Sequence, residues 1–265
     1  MIDYHMHSDI SGDCSVPMMR MAEAARRKGL KEICFTEHID IDFPGDIDFV
    51  FDMSEYDEAF GEVKAAFEDL NIRKGLEAGL ETATKDTMSA LVRKHKLDYV
   101  IGSKHLVTGL DPFGSELWKM CSQREAYEAY LKECIESAKE CGFFDVFGHL
   151  GYISKFCPFE DSLMRYADYG DAIDELLKIL VEKGKGLEVN TSGIKPTGSV
   201  MPELPIVKRF FELGGEIITV GSDAHDEASV GRAVEETMRQ LADIGFKYVC
   251  AFDAREPRFI AITQA

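Results

Sequence analysis

The segment MIDYHMH carries two histidines, His5 and His7, one residue apart. On a strand, a period of two sets Ile2, Tyr4 and Met6 on one face and Asp3, His5 and His7 on the other, so both imidazoles point the same way. One metal ion would need that arrangement; a short strand with its polar residues outward would also show it. The other histidines separate the two readings. His38 closes KEICFTEH, His105 closes VIGSKH, His149 lies in DVFGHL and His225 closes TVGSDAH, each at the end of a short apolar run. His95, in VRKHK, sits among basic residues at a helix tail, where an exposed histidine needs no function. Six of the seven histidines therefore end strands. A catalytic dyad would use two; six point to a cluster of metal ions.

Imidazoles alone leave a divalent ion's charge uncompensated, so carboxylates should accompany them. Asp223 precedes His225 by two and shares its face on an extended strand end. In RKGLEAGLE, Glu77 and Glu81 alternate with Leu76, Ala78 and Leu80; Glu77 lies at the strand end and is the first choice, Glu81 the second. Asp13 can reach the site from the first loop and Asp9 is the weaker candidate, while turn chemistry would account for either.

The elements that must hold these residues recur as apolar strand, polar loop and amphipathic helix. Strands are expected near 2–7, 31–38, 71–78, 98–104, 144–149, 186–190 and 216–222. Helices are expected from Pro17 to Gly29 and near 54–69, 84–96, 122–141, 168–184, 202–213 and 227–244, with the apolar segment FKYVCAF left over. Alternation of this kind implies parallel strands with right-handed crossovers. No G-x-G-x-x-G follows the first strand. The pattern therefore favours an α/β barrel of seven or eight strands over a doubly wound sheet, with its chemistry at the C-terminal strand ends. No Pro-, Gly- or Ser-rich linker interrupts the chain, so residues 1–265 read as a single domain.

Composition narrows the function classes. Thirty basic against forty-eight acidic residues give a net charge of -18, which repels nucleic acid in the absence of a basic patch. No apolar run reaches the roughly 20 residues of a membrane span, and no basic, apolar leader opens the sequence. A cytoplasmic protein is the expectation. Seven scattered cysteines without a C-x-x-C pair suit reduced thiols, with Cys34 and Cys250 in the core.

Taken in order, H-x-H, TEH, GLE, GSKH, GHL and GSDAH resemble the polymerase and histidinol phosphatase family of metal-dependent phosphoesterases, from His5 to about Gly231. TEHIDIDFP, LEVNTSGIKPTG and GSDAHDEASVG resemble its histidinol-phosphate phosphatase branch. The resemblance implies a distorted (β/α)7 TIM-like barrel and three divalent ions, with zinc, manganese or iron suited to the mixed nitrogen and oxygen donors. It places His5, His7, Glu77 and Asp223 on the first ion, Asp13, His38 and His225 on the second, and Glu77, His105 and His149 on the third. Relatives often have a histidine where this chain has Asp13.

The implied activity is hydrolysis of a small phosphomonoester, L-histidinol phosphate, by a metal-bridging hydroxide, with His5, His7, Glu77, Asp223 and His225 as the catalytic set. Lys155 in GYISKF and Lys195 in SGIKPT follow contributing strands and are candidates to bind phosphate, alongside Ser103. Glu37 either orients a ligand or faces solvent. The insert over 39–53, with Asp40, Asp42, Phe43, Asp46 and Asp48, either recognises the substrate's amine and ring or merely covers the barrel. Competing readings are a phosphoesterase for sugar phosphates or nucleotides, a metal-stabilised module without turnover, and an amidohydrolase barrel. The sequence carries no signal for oligomeric state.

Overall fold

The computed structural model describes residues 1–262. Its frame is the run β1 (Ile2–Met6), β2 (Glu32–Ile39), β3 (Asn71–Gly79), β4 (Tyr99–Ser103), β5 (Val146–Phe147), β6 (Gly186–Asn190) and β7 (Ile218–Gly221). These seven strands pair in sequence order, all parallel. The barrel closes where His7 N–H donates to Ala224 O at 2.9 Å and Asp223 N–H donates to His5 O at 2.8 Å. The fold is thus a distorted (β/α)7 TIM-like barrel.

The helices that cover it are α1 (Met18–Arg27), α2 (Met53–Ala66), α3 (Lys85–Lys94), α4 (Glu116–Met120), α5 (Gln123–Glu140), α6 (Tyr166–Glu182), α7 (Ile194–Thr197), α8 (Leu204–Glu212) and α9 (Val234–Ile244). Each long one turns an apolar stripe to the barrel; in α1 that stripe is Met18, Met21, Ala22, Ala24 and Ala25. Ser122 and Glu125 form a capping box that starts α5. Among the described residues, no helix is long and apolar enough to cross a membrane.

Several boundaries differ from the expected ones for local reasons. The fifth strand is two residues long, and its flanks add both backbone and side-chain bonds: Asp145 N–H donates to Val100 O and Gly148 N–H to Gly102 O, both at 2.8 Å, Asp145 Oδ2 accepts Val100 N–H at 2.8 Å, and His149 N–H donates to Glu188 at 2.7 Å. Helix α9 starts at Val234 rather than near 227, since Asp226 accepts both Ser229 N–H and Ser229 Oγ–H and holds the preceding residues in a turn. The leftover apolar segment becomes β8 (Tyr248–Asp253), which pairs antiparallel with β9 (Glu256–Ala261) outside the barrel sheet. This hairpin closes one end of the barrel. Phe252 packs 4.8 Å from Tyr99, Tyr99 lies 5.5 Å from Tyr4, and Tyr4 Oη accepts Phe252 N–H. Each such buried ring contributes about 1.5–3 kcal/mol.

The alternation expected for β1 breaks at a bulge. Asp3 pairs with Ile33 but Met6 with Phe35, so three steps on β1 match two on β2. The extra residue separates Asp3 from the two histidines: its carboxylate accepts Ser222 N–H and Gly231 N–H, both at 2.8 Å, behind β7. His5 and His7 remain together.

Candidate metal centre

Every barrel strand except β6 sends a predicted ligand to one end of the barrel, and the β1–α1 loop adds Asp13. Glu77, fully buried in β3, is the hub, and it lies beside His38 in the β2–β3 register. Its Oε1 faces His149 Nε2 at 2.6 Å and His105 Nε2 at 3.1 Å. Its Oε2 faces His5 Nε2 at 3.0 Å, His38 Nδ1 at 3.2 Å and His7 Nε2 at 3.4 Å. Asp223 Oδ1 lies 3.4 Å from His7 Nε2, 3.6 Å from His225 Nδ1 and 3.7 Å from His5 Nε2. At the rim, Asp13 Oδ2 reaches His225 Nε2 at 3.0 Å and His38 Nε2 at 3.7 Å. All nine residues thus meet in one cluster.

A second layer orients the rings. His5 Nδ1–H donates to Glu188 Oε1 at 2.6 Å, His105 Nδ1–H to Asp40 Oδ1 at 2.8 Å, and His225 Nδ1–H to Asp223 O at 3.0 Å. His7 Nδ1–H donates to Ser11 Oγ at 3.2 Å, and Ser11 Oγ–H passes on to Glu37 at 2.6 Å. With their outer nitrogens used as donors, the inner nitrogens keep their lone pairs for a metal. Glu37 is therefore buried behind the ligands and away from solvent. Sequence reasoning missed Glu188 and Ser11, and read Asp40 only as part of the insert. One signal for Glu188 was available: it stands between Leu187 and Val189, a charge in an otherwise apolar strand.

The donor set fits divalent cations. His5 Nε2 and His7 Nε2 lie 3.0 Å apart beside Glu77 Oε2, so two lone pairs and a carboxylate oxygen face one another, and a cation among them satisfies all three. Among the described residues, two buried ring nitrogens, His38 Nδ1 and His149 Nδ1, have no hydrogen-bond partner. Among the described residues, four triads have ligand atoms within 4.8 Å of one another: His7–His38–His225, His5–Glu77–His149, His5–His7–Asp223 and His38–Glu77–His105. The geometry is that of a multi-metal site.

In the metal-free protein the carboxylates hold protons on some of these rings: against burial, the charges of Glu188 and Glu77 raise His5 well above its ordinary value and those of Asp40 and Glu77 raise His105, so a cation would take the place of those protons. Burial works to raise Glu77, but the charges of His38, His5 and His105 hold its carboxyl well below the usual range. Asp223 is lowered too: burial opposes, and Lys155 and His5 prevail. Burial, with the charges of His225 and His38, pulls His7 down to about 3, so its imidazole stays neutral and able to ligate.

Above the cluster opens a cleft of about 110 Å³, lined in part by Asp13, Phe43, Phe49, Tyr152, Lys155 and Phe156. Phe43 and Phe49 pack edge to face at 4.8 Å on one wall; across the cleft Phe156 packs against the exposed Phe113 at 5.4 Å. The insert after β2 therefore supplies an aromatic wall, while Asp42, Asp46 and Asp48 are exposed. Lys155 Nζ lies 3.3 Å from Asp223 Oδ2. Lys195 is exposed on α7 and is not among the residues lining the cleft. Ser103 is fully buried against Gly148, its hydroxyl without a partner. Glu81 is held by Lys104 at 2.6 Å, outside the cluster. Asp9 accepts the N–H of Met18, the first residue of α1, at 3.3 Å, and His95 ends α3.

Comparison with known proteins places this cluster in a family. The PHP domain model matches residues 3–192. A "Probable histidinol-phosphatase" from Clostridium acetobutylicum is 30% identical over 247 residues, covering 93% of this chain and 95% of the relative. A "Histidinol-phosphatase" from Lactococcus lactis subsp. lactis is 30% identical over 254 residues, covering 95% and 94%. The crystal structure of histidinol phosphate phosphatase from Lactococcus lactis subsp. lactis, complexed with zinc, L-histidinol and phosphate, is 28% identical, with a TM-score of 0.88 over 97% of this chain and 98% of that one. A family model over most of the barrel and full-length similarity at this level agree with the ligand cluster, and this chain belongs to the PHP domain family.

Proposed function

We propose that this protein is a metal-dependent phosphatase that hydrolyses L-histidinol phosphate to L-histidinol and phosphate. The observation that carries the reading is the cluster of nine ligand side chains gathered around Glu77, in a chain alike over its whole length to a phosphatase crystallised with both of those products. The substrate is then a small phosphomonoester, and residues 1–265 act as one phosphoesterase barrel in the cytoplasm. Seven unpaired cysteines suit a reducing compartment.

Three divalent ions account for the donor set. His5, His7, Glu77 and Asp223 would hold the first, Asp13, His38 and His225 the second, and Glu77, His105 and His149 the third. Glu77 turns Oε1 to His149 and His105 and Oε2 to His5 and His7, which supports its bridging role. Mixed nitrogen and oxygen donors suit zinc, manganese or iron; zinc is the first choice because the Lactococcus lactis structure contains it. When bound, such ions lower the pKa of water and neutralise phosphoryl oxygens.

The chain's own side chains supply the remainder. Lys155 lines the cleft beside Asp223, where its ammonium can bind a phosphoryl oxygen as a point charge. Phe43 and Phe49 on one wall, with Tyr152 and Phe156 on the other, enclose the organic part of the ester and limit water.

The test is phosphate release from L-histidinol phosphate beside sugar phosphates and nucleotides, with protein of known metal content in zinc and in manganese. The reading expects the highest kcat/KM for L-histidinol phosphate. Release from other monoesters only would move the substrate within the phosphoesterases. No release from protein holding about three ions would sink the enzyme reading.

A further inference from the structure

Glu188 is almost completely buried in β6, and no ligand assignment above uses it. Oε1 accepts His5 Nδ1–H at 2.6 Å. Oε2 accepts the backbone N–H of His149 at 2.7 Å and an Asn190 Nδ2–H at 3.3 Å. One carboxylate thus grips two ligand-bearing segments from different strands, the end of β1 and the turn after β5. The neighbouring strand makes room for it. A Cβ at Gly221 in β7 would fall 2.3 Å from His5 Cβ and 2.6 Å from Glu188 Oε1, so only glycine leaves this pair its space.

We propose that Glu188 is a positioning residue that sets the metal affinity of the centre. Its first oxygen fixes His5 as the Nδ1–H tautomer, so the Nε2 lone pair faces Glu77 Oε2 and His7 Nε2, where an ion would sit. A carboxylate on the outer nitrogen also makes the inner one a stronger donor. The second oxygen sets the backbone from which His149 reaches Glu77 Oε1. Glu188 therefore couples the His5 and His149 sides of the cluster without touching a metal or the substrate. The inference rests on the reading that this cluster holds divalent ions, and not on the identity of the phosphate ester.

The variant that tests it is Glu188→Gln, which keeps the side chain's size but has one acceptor oxygen for the three donors that the carboxylate serves. Zinc content by elemental analysis and zinc affinity by chelator competition are the readouts, with the visible spectrum of the cobalt-substituted protein as a report on ligand geometry. The expected result is a folded protein whose zinc affinity is weaker by about tenfold to a hundredfold, with an altered cobalt spectrum. Glu188→Asp, one methylene shorter but still a carboxylate, is the second variant and should lose affinity as well. Wild-type zinc affinity and an unchanged cobalt spectrum in either folded variant, even one that melts at a lower temperature, would make Glu188 a purely structural residue and overturn the proposal. Because the readout is metal binding, failure of the wild-type protein to hydrolyse L-histidinol phosphate would remove the substrate assignment and leave this test standing.

Discussion

Lys155 Nζ lies 3.3 Å from Asp223 Oδ2, and Ser192 Oγ–H donates to the same oxygen at 2.9 Å. Asp223 therefore divides its carboxylate, with Oδ1 toward His5 and His7 and Oδ2 toward a lysine that lines the cleft. Asp223 adopts a left-handed backbone at φ 52°, a conformation that costs a non-glycine residue about 1–3 kcal/mol and here aims the carboxylate both ways. A charge-assisted contact to phosphate is worth about 1.5–3 kcal/mol. Lys155→Ala should accordingly lower kcat/KM about tenfold to a hundredfold, mostly through KM. Lys195→Ala, on the exposed side of α7, should cost less. Steady-state kinetics on both variants checks this, and equal losses would restore Lys195 to the site.

His7→Ala and Asp223→Ala should abolish phosphate release and lower the bound metal, with circular dichroism still showing a folded barrel. His95→Ala should leave turnover and metal content unchanged, since that ring ends α3 away from the cluster. Wild-type turnover from a His7→Ala protein with full metal content would show that the opening histidines are not part of the machinery.

The pH dependence of the metal-free protein follows from His225. Burial works against its charge, but the Asp13 hydrogen bond and the charge of Asp223 outweigh it and push the imidazolium up to about 9, above the ordinary 6.5. A raised folded value stabilises fully below about pH 6.5 and is lost as pH rises through about 9. Urea midpoints of the metal-free protein should therefore fall across that interval. The fall should flatten in His225→Gln; an identical slope in that variant would assign the effect to other groups.

Gly221→Ala should be destabilising by about 1–3 kcal/mol and should weaken metal binding, because the added methyl collides with His5 and Glu188. Gly61→Ala is the contrasting case. It lies inside α2 with nothing within 4 Å of the added carbon, and should stabilise by about 0.5–1 kcal/mol. Thermal melts of the two variants should shift in opposite directions.

What the sequence determined by itself was which side chains gather in the cluster and the end of the barrel where they meet. Apolar strands followed by polar loops and helices leave little choice but parallel pairing, and a histidine that closes such a strand must then face the loop end. Glu77 was legible because alternation in RKGLEAGLE put it on the polar face, and Asp223 because it stands two residues before His225. Closure of the barrel decided the rest. The bulge in β1 turned Asp3 away from His5, which no period of two can show, because a bulge appears only when two strands are laid side by side. Glu188 and Asp40 bond to histidines 183 and 65 residues away, so their roles depend on which strands meet, whereas Ser11 bonds to His7 only 4 residues before it and depends on the course of the loop after β1. Lys155 and Lys195 looked alike along the chain, and folding put only Lys155 against Asp223. Residue type and spacing are properties of one strand; hydrogen-bond partners, burial and the balance of charges around a ring belong to the closed sheet.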